Sequence, residues 1–193
     1  MCENSIAISS KNEYTVTNVA NNDSLLIEDK IMNQERLEES IRILREEIRA
    51  LKPTRFVENK GFVQHGTTSL YQHCISVAYR SIVIAVKFNM NIDMRSMIRG
   101  ALLHDYYLYD WHDKEARTNP HGFVHPRIAC ENATRDFQLN PLEQNIIRRH
   151  MFPLTPIPPK YKEGWVICMA DKLCSIQETL KLGTSLWKPV QFY

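Results

Sequence analysis

A chain that ends an apolar helical run in a histidine and an aspartate side by side has to find partners for both. Ala101-Leu102-Leu103-His104-Asp105-Tyr106 is such a run. An ionised carboxylate carried into an interior unpartnered costs several kcal/mol, or loses its charge to escape that cost. A divalent cation offsets it. The fold is therefore constrained to bring further ligands to this point from other parts of the chain.

The rest of the sequence supplies helices from which they can come. At 193 residues the chain suffices for one well-buried domain and is short for two. Residues 1–30 are rich in Asn, Ser and Thr with little periodicity, and read as a poorly ordered or loosely docked arm. Residues 31–193 read as a single helical domain. From Asn33, Leu37, Ile41, Leu44, Ile48 and Leu51 recur at helical spacing until Pro53. Gly61 to Gly66 reads as a loop, after which Thr67, Thr68 and Ser69 offer an N-cap for a helix reaching about Phe88. That helix has an inward stripe of Leu70, His73, Val77, Ser81 and Ile84. Asp93 caps a third helix that ends at His104-Asp105. Tyr106 to Asn119, with Trp111, His112, Lys114 and Arg117, reads as a loop over one end of the helices.

Pro126 suits the first turn of the next helix, which puts His125 at its start. Asn140-Pro141-Leu142-Glu143 is a cap with Pro at N1 and an acid at N3, opening a helix that ends at His150. Four prolines exclude helix between about 152 and 160. From Glu163 a last helix carries Val166, Met169, Ala170, Leu173, Ile176 and Leu180, with Asp171 among them. No strand pattern of convincing length occurs. The fold class is all-α, a globule of about six or more helices.

His73, His104, Asp105, His125, His150 and Asp171 each fall on an apolar stripe or at a helix end. In a helical bundle such positions can converge on one interior point. Imidazoles and carboxylates together suit Mn, Fe, Co, Ni or Zn, and the lack of thiolate argues against a structural zinc. Six ligands exceed what one catalytic ion with an open position needs, and match two divalent transition-metal ions bridged by a carboxylate. Asp105 is the natural bridge: His73, His104, Asp105 and Asp171 would surround one ion, and Asp105, His125 and His150 the other. Two such ions about 3.5–4 Å apart activate a water at neutral pH and clamp a phosphoryl oxygen. His121 competes with His125, whose place at a helix start favours it. Lys172, beside Asp171, and Lys114 and Arg117, on the loop, are candidate donors to a substrate phosphate. Arg148 and Arg149 are further basic groups of the same kind.

Composition bounds the partners. A net charge of +2 gives no basic footprint for nucleic acid. Five cysteines without a CxxC pair read as reduced thiols of a cytoplasmic protein. No apolar run approaches the roughly 18 residues of a membrane span. A small-molecule substrate is the expected partner.

The ordered set His73, His104-Asp105 and Asp171 resembles the HD-domain superfamily of metal-dependent phosphohydrolases over about Gly61 to Leu180. The additional His125 and His150 resemble its two-metal branch. The flanks His121-Gly-Phe-Val-His125-Pro126 and His150-Met-Phe-Pro-Leu-Thr-Pro156 resemble uncharacterised bacterial members. The resemblance implies an α-helical fold and hydrolysis of a nucleotide or other small phosphorylated metabolite. In that reading Asp105 bridges and Asp171 orients the attacking water or accepts its proton. One departure matters. Many two-metal members carry a lysine soon after the HD pair, whereas here Tyr106-Tyr107-Leu108-Tyr109-Asp110 follows, with no lysine until Lys114. A di-iron oxygenase or oxidase with the same ligand order, and a non-catalytic metal- or nucleotide-binding module, therefore stay open as alternatives.

Overall fold

The helices that begin at Leu70, Met94 and Pro141 start where the sequence supplies an oxygen for the first unpaired N–H groups. The computed structural model describes the backbone of residues 11–110 and 121–180, and their side chains from Lys30 onward except His65. Helix α1 runs Lys11–Leu51, well upstream of the point at which apolar periodicity begins. A short 3-10 helix, Arg55–Gly61, follows and is capped by Thr54. Helix α2, Leu70–Lys87, is closed by a capping box: Ser69 accepts from the N–H of Gln72, whose side chain reaches back to Ser69. Helix α3, Met94–Leu103, starts at Asp93 and hands over to His104 as its C-cap. Helix α4 spans His121–Asp136. Helix α5, Pro141–Arg149, has a second capping box between Asn140 and Glu143, with His150 as its C-cap. Helix α6 spans Lys162–Thr179.

The chain divides into two compact units, Met1–Arg36 and Leu37–Tyr193. Within the second, α2 packs on α3 and α6, α3 on α5, and α5 on α4 and α6. The core between them is filled by Leu44, Phe56, Leu70, Val77, Ile82, Met97, Ile98, Leu102, Ile146, Ile147 and Ile167, all buried. Arg99 ties three helices at the rim, bonding Glu143 of α5 at 2.7 Å and facing Glu47 of α1 at 3.5 Å. Cys74, Cys130, Cys168 and Cys174 are buried free thiols. Among the described residues no helix is long and apolar enough to cross a membrane.

Helix α1 already occupies residues from Lys11 that the sequence reading assigned to a poorly ordered or loosely docked arm, and three further features differ from that reading. Residues 61–66 are not all loop: Val63–His65 (β1) pairs antiparallel with Thr68–Ser69 (β2). Gly66, at φ +59°, takes the first position of the two-residue connection, where a positive φ matches the strand twist. Pro126 lies inside α4 and not in its first turn, because the helix already includes His121. On α6 the buried face is Val166, Ile167, Ala170, Asp171 and Cys174, whereas Met169, Leu173, Ile176 and Leu180 are exposed. Apolar residues occur on both sides of that helix, so the pattern alone did not tell inside from outside.

The approach of α3 to α5 is set by Gly100. A Cβ there would lie 2.7 Å from Cγ2 and 2.8 Å from Cδ1 of Ile146. Gly100→Ala gains about 1 kcal/mol of helix propensity but overpacks at a cost of about 1–3 kcal/mol. We expect a net loss of about 1 kcal/mol, read from urea unfolding midpoints. A midpoint at or above the wild-type value would mean that the gap between these helices is slack.

Candidate metal centre

Five helices or helix ends aim side chains at one buried point. His73 projects from the first turns of α2, His104 and Asp105 from the end of α3, and His125 from α4. His150 comes from the end of α5, and Asp171 from the middle of α6. All are buried, with Asp171 (7% exposed) and His125 (4%) nearest to solvent.

The imidazoles are oriented alike. In three of them Nδ1 bonds a backbone carbonyl of the preceding turn: His104 to Ala101 at 2.7 Å, His125 to His121 at 2.9 Å and His150 to Ile147 at 2.8 Å. A carbonyl can only accept, so each of these Nδ1 atoms carries the proton. In the neutral ring the lone pair then sits on Nε2, facing inward. His73 differs, its Nδ1 lying 2.9 Å from a carboxylate oxygen of Glu178.

The inward atoms crowd each other. Nε2 of His125 and Nε2 of His150 are 2.9 Å apart, so two neutral rings would oppose lone pairs at hydrogen-bond distance. A proton or a cation has to stand between them. Asp105 spans the cluster. Its Oδ1 faces His125 at 3.2 Å and His150 at 3.4 Å, and its Oδ2 faces His104 at 3.5 Å and His73 at 4.0 Å. Asp171 Oδ1 lies 3.1 Å from His73 and 3.8 Å from His104. Two buried atoms here, Nε2 of His104 and Oδ1 of Asp105, have no hydrogen-bond partner. Ligand atoms within 4.8 Å of one another form three overlapping triplets: His73, His104, Asp105; His104, His150, Asp171; and Asp105, His125, His150. Orphaned polar atoms, inward lone pairs and an N/O donor set are what a divalent transition metal satisfies.

A family model for the HD domain matches residues 70–176, more than half of the chain. The chain belongs to the HD-domain family. No curated protein and no solved structure matches it. HD domains bind divalent metals, and the buried His/Asp cluster of this HD domain could hold them.

The charge state of the cluster follows from its packing. Burial alone would lower the pKa of His73, but bonds to Asp171 and Glu178 outweigh it and lift the ring to about 10. Burial likewise opposes protonation of His104, and the negative charge of Asp105, with Asp171 3.8 Å away, overrides it, raising its pKa well above the ordinary value. Both carboxyls, which burial would push up, are held far below their usual range by the rings around them, Asp105 by His104, His125 and His150 and Asp171 by His104 and His73. His150 goes the other way, burial lowering it and leaving it neutral at pH 7.

Two residues that sequence reasoning missed hold side chains of this cluster. Gln64, on β1, donates from Nε2 to Asp105 Oδ2 at 2.7 Å, while its Oε1 accepts from the Tyr107 hydroxyl at 2.5 Å. Burial and then the charge of Asp105 raise the Tyr107 pKa far up, so the phenol stays a donor and fixes the amide. A three-residue strand offers no period by which Gln64 could be found. Glu178 could have been found, since it lies two turns beyond Asp171 on one face of α6. The other candidates fall differently. His121 is in α4, stacked on His125 with ring centroids 4.5 Å apart and bonded to the Tyr109 hydroxyl, outside the ligand triplets. The Lys172 ammonium bonds the carbonyls of His150 (3.4 Å) and Cys168 (3.2 Å). Lys114, Arg117, Trp111 and His112 lie outside the described residues, as does the side chain of His65.

Two outcomes follow. Metal ligation needs neutral imidazoles, so a cation must displace the protons of His73 and His104, and affinity falls as pH falls. Calorimetry at pH 7 in buffers of different ionisation enthalpy should show more than one proton released per chain. No release would mean that those rings were already neutral. Glu178→Gln, which removes the charge behind His73, should weaken metal binding about 10–100-fold. Unchanged affinity would reduce Glu178 to a packing role.

Proposed function

We propose that this chain is a dinuclear metal-dependent phosphohydrolase acting on a nucleotide or another small phosphorylated metabolite. The observation that carries the reading is the placement of the Asp105 carboxylate, with one oxygen facing His125 and His150 and the other facing His104 and His73. That is the disposition of a bridging ligand. His73, His104, Asp105 and Asp171 would hold one ion, and Asp105, His125 and His150 the other. When bound, Fe, Mn, Co, Ni or Zn supplies a water acidic enough to attack phosphorus near pH 7 and a Lewis acid for the phosphoryl oxygens.

The protein's own part is to position and to move protons. Gln64 holds Oδ2 of Asp105, which fixes how the carboxylate divides between the two imidazole sets. Asp171 is the most exposed of the six and bonds His73, so it is the group we assign to orient the attacking water and take its proton. Lys114 and Arg117 are proposed to meet the substrate phosphate, on the strength of their position after the HD pair. Lys172 has its ammonium committed to two carbonyls and is better suited to hold the end of α5 against α6.

The test is metal analysis of protein purified without chelator, then a panel of mononucleotides, cyclic nucleotides and dinucleoside phosphates with added Mn, Fe, Co or Ni. About two ions per chain and release of phosphate or nucleotide are expected. Asp105→Ala should lose both ions, and His125→Ala only one. Equal metal content in the two variants would refute the bridging role. Oxygen uptake by the iron-loaded chain without phosphoester cleavage would replace the hydrolase with the oxygenase alternative. Tight nucleotide binding without product would replace it with a binding module.

A further inference from the structure

A second feature lies on the far side of the same helices. A cleft of about 300 Å³ is lined by Phe123, Pro126 and Arg127 of α4, Arg148 and Arg149 of α5, and Thr155 of the turn that follows. Its volume is at the lower end of small-molecule sites. Arg127 is held by Glu131 of its own helix, at 2.8 and 2.9 Å. Arg148 and Arg149 make no ion pair and no side-chain hydrogen bond among the described residues, and no carboxylate lines the cleft.

Two guanidiniums in the last turn of a helix have a bland explanation, since cations there complement the helix dipole. That explanation covers neither the concavity nor Thr155. The Thr155 hydroxyl oxygen is buried without a hydrogen-bond partner, and Thr155 is one of the residues that line the cleft. A buried hydroxyl left unpaired costs stability, and native chains satisfy nearly all such groups. An acceptor with several oxygens, seated between the guanidiniums, would satisfy it and the free N–H groups together. The wall that carries Thr155 is itself fixed: its N–H bonds the carbonyl of Met151 at 3.3 Å, and Leu154 packs so closely on Gly122 that an added Cβ would lie 2.8 Å from it.

We propose that this cleft is a binding site for a phosphate group, preferably one of two or more linked phosphates, gripped by Arg148, Arg149 and the Thr155 hydroxyl. Guanidinium groups match phosphate oxygens in bidentate geometry, and Phe123, 55% exposed, offers a ring face to whatever carries the phosphate. The site is separate from the metal centre but next to it along the chain. Arg149 precedes His150 and Pro126 follows His125. Phe123 and Arg127 lie two residues either side of His125, and Arg148 two before His150, which is about 200° around a helix, so the cleft and the centre sit on different sides of α4 and α5.

Isothermal titration with inorganic phosphate and with inorganic pyrophosphate, on chain freed of metal by chelator and on Asp105→Ala, tests this without any turnover. Failure of the hydrolase reading leaves these titrations untouched. Expected are tighter binding of pyrophosphate than of phosphate, and a loss of at least tenfold in Arg148→Gln/Arg149→Gln. Thr155→Val should bind several-fold more weakly, with its thermal midpoint kept or raised. Unchanged pyrophosphate affinity in a folded Arg148→Gln/Arg149→Gln chain would overturn the proposal. So would binding that appears only when metal is restored, which would place the anion on the metal centre. Affinity abolished at physiological salt, or matched by sulfate and chloride alike, would also overturn it by reducing the cleft to general positive charge.

Discussion

Two imidazole nitrogens 2.9 Å apart, with a carboxylate oxygen within 3.4 Å of each, set the terms for the rest of the molecule. The rings of His125 and His150 are pinned by carbonyls behind them, so neither can turn its lone pair away. The carboxylates of Asp105 and Asp171 face the imidazoles of His73, His104, His125 and His150 at 3.1 to 4.0 Å. The interior is thus built for positive charge, and what supplies that charge depends on pH and on metal supply.

The scaffold turns this requirement into a placement problem and solves it with helix ends. His104 and His150 are both C-caps, and Asp105 directly follows the first of them. A side chain at a helix terminus moves with the whole helix, so the spacing of α3 and α5 bears directly on where these ligands meet. Gly100 against Ile146 sets that spacing. At the rim Arg99 bonds Glu143, the same residue that closes the capping box of α5. Capping, packing and ligand position are therefore one mechanical system.

Much of this was legible in the chain. Ser69, Asp93 and Asn140 announce their helices through side chains whose oxygens match the first free N–H groups, and each acts as the N-cap. The six candidate ligands were legible because polar groups on apolar stripes demand an explanation, and the fold brings them to one point. What stayed hidden has physical reasons. Gln64 sits on a strand too short to show alternation, and an amide in a loop-like segment carries no signal. Pro126 looks like a helix start because proline is at home there, yet the helix tolerates it in its second turn. On α6 the exposed Met169, Leu173, Ile176 and Leu180 mimic a core stripe, since apolar character surrounds the helix and only Asp171 marks the inner side.

The Nδ1 contacts carry a consequence for how such a centre can change over generations. Three histidines take their orientation from the carbonyl three or four residues behind them, so the clamp is part of the same backbone turn and survives almost any substitution nearby. His73 takes its clamp from Glu178, a genetically separate position more than a hundred residues away. A single codon there retunes the basicity of His73 while the clamps on the other three rings stay fixed. Descendants of this fold can therefore alter one ring of the cluster without rebuilding the rest.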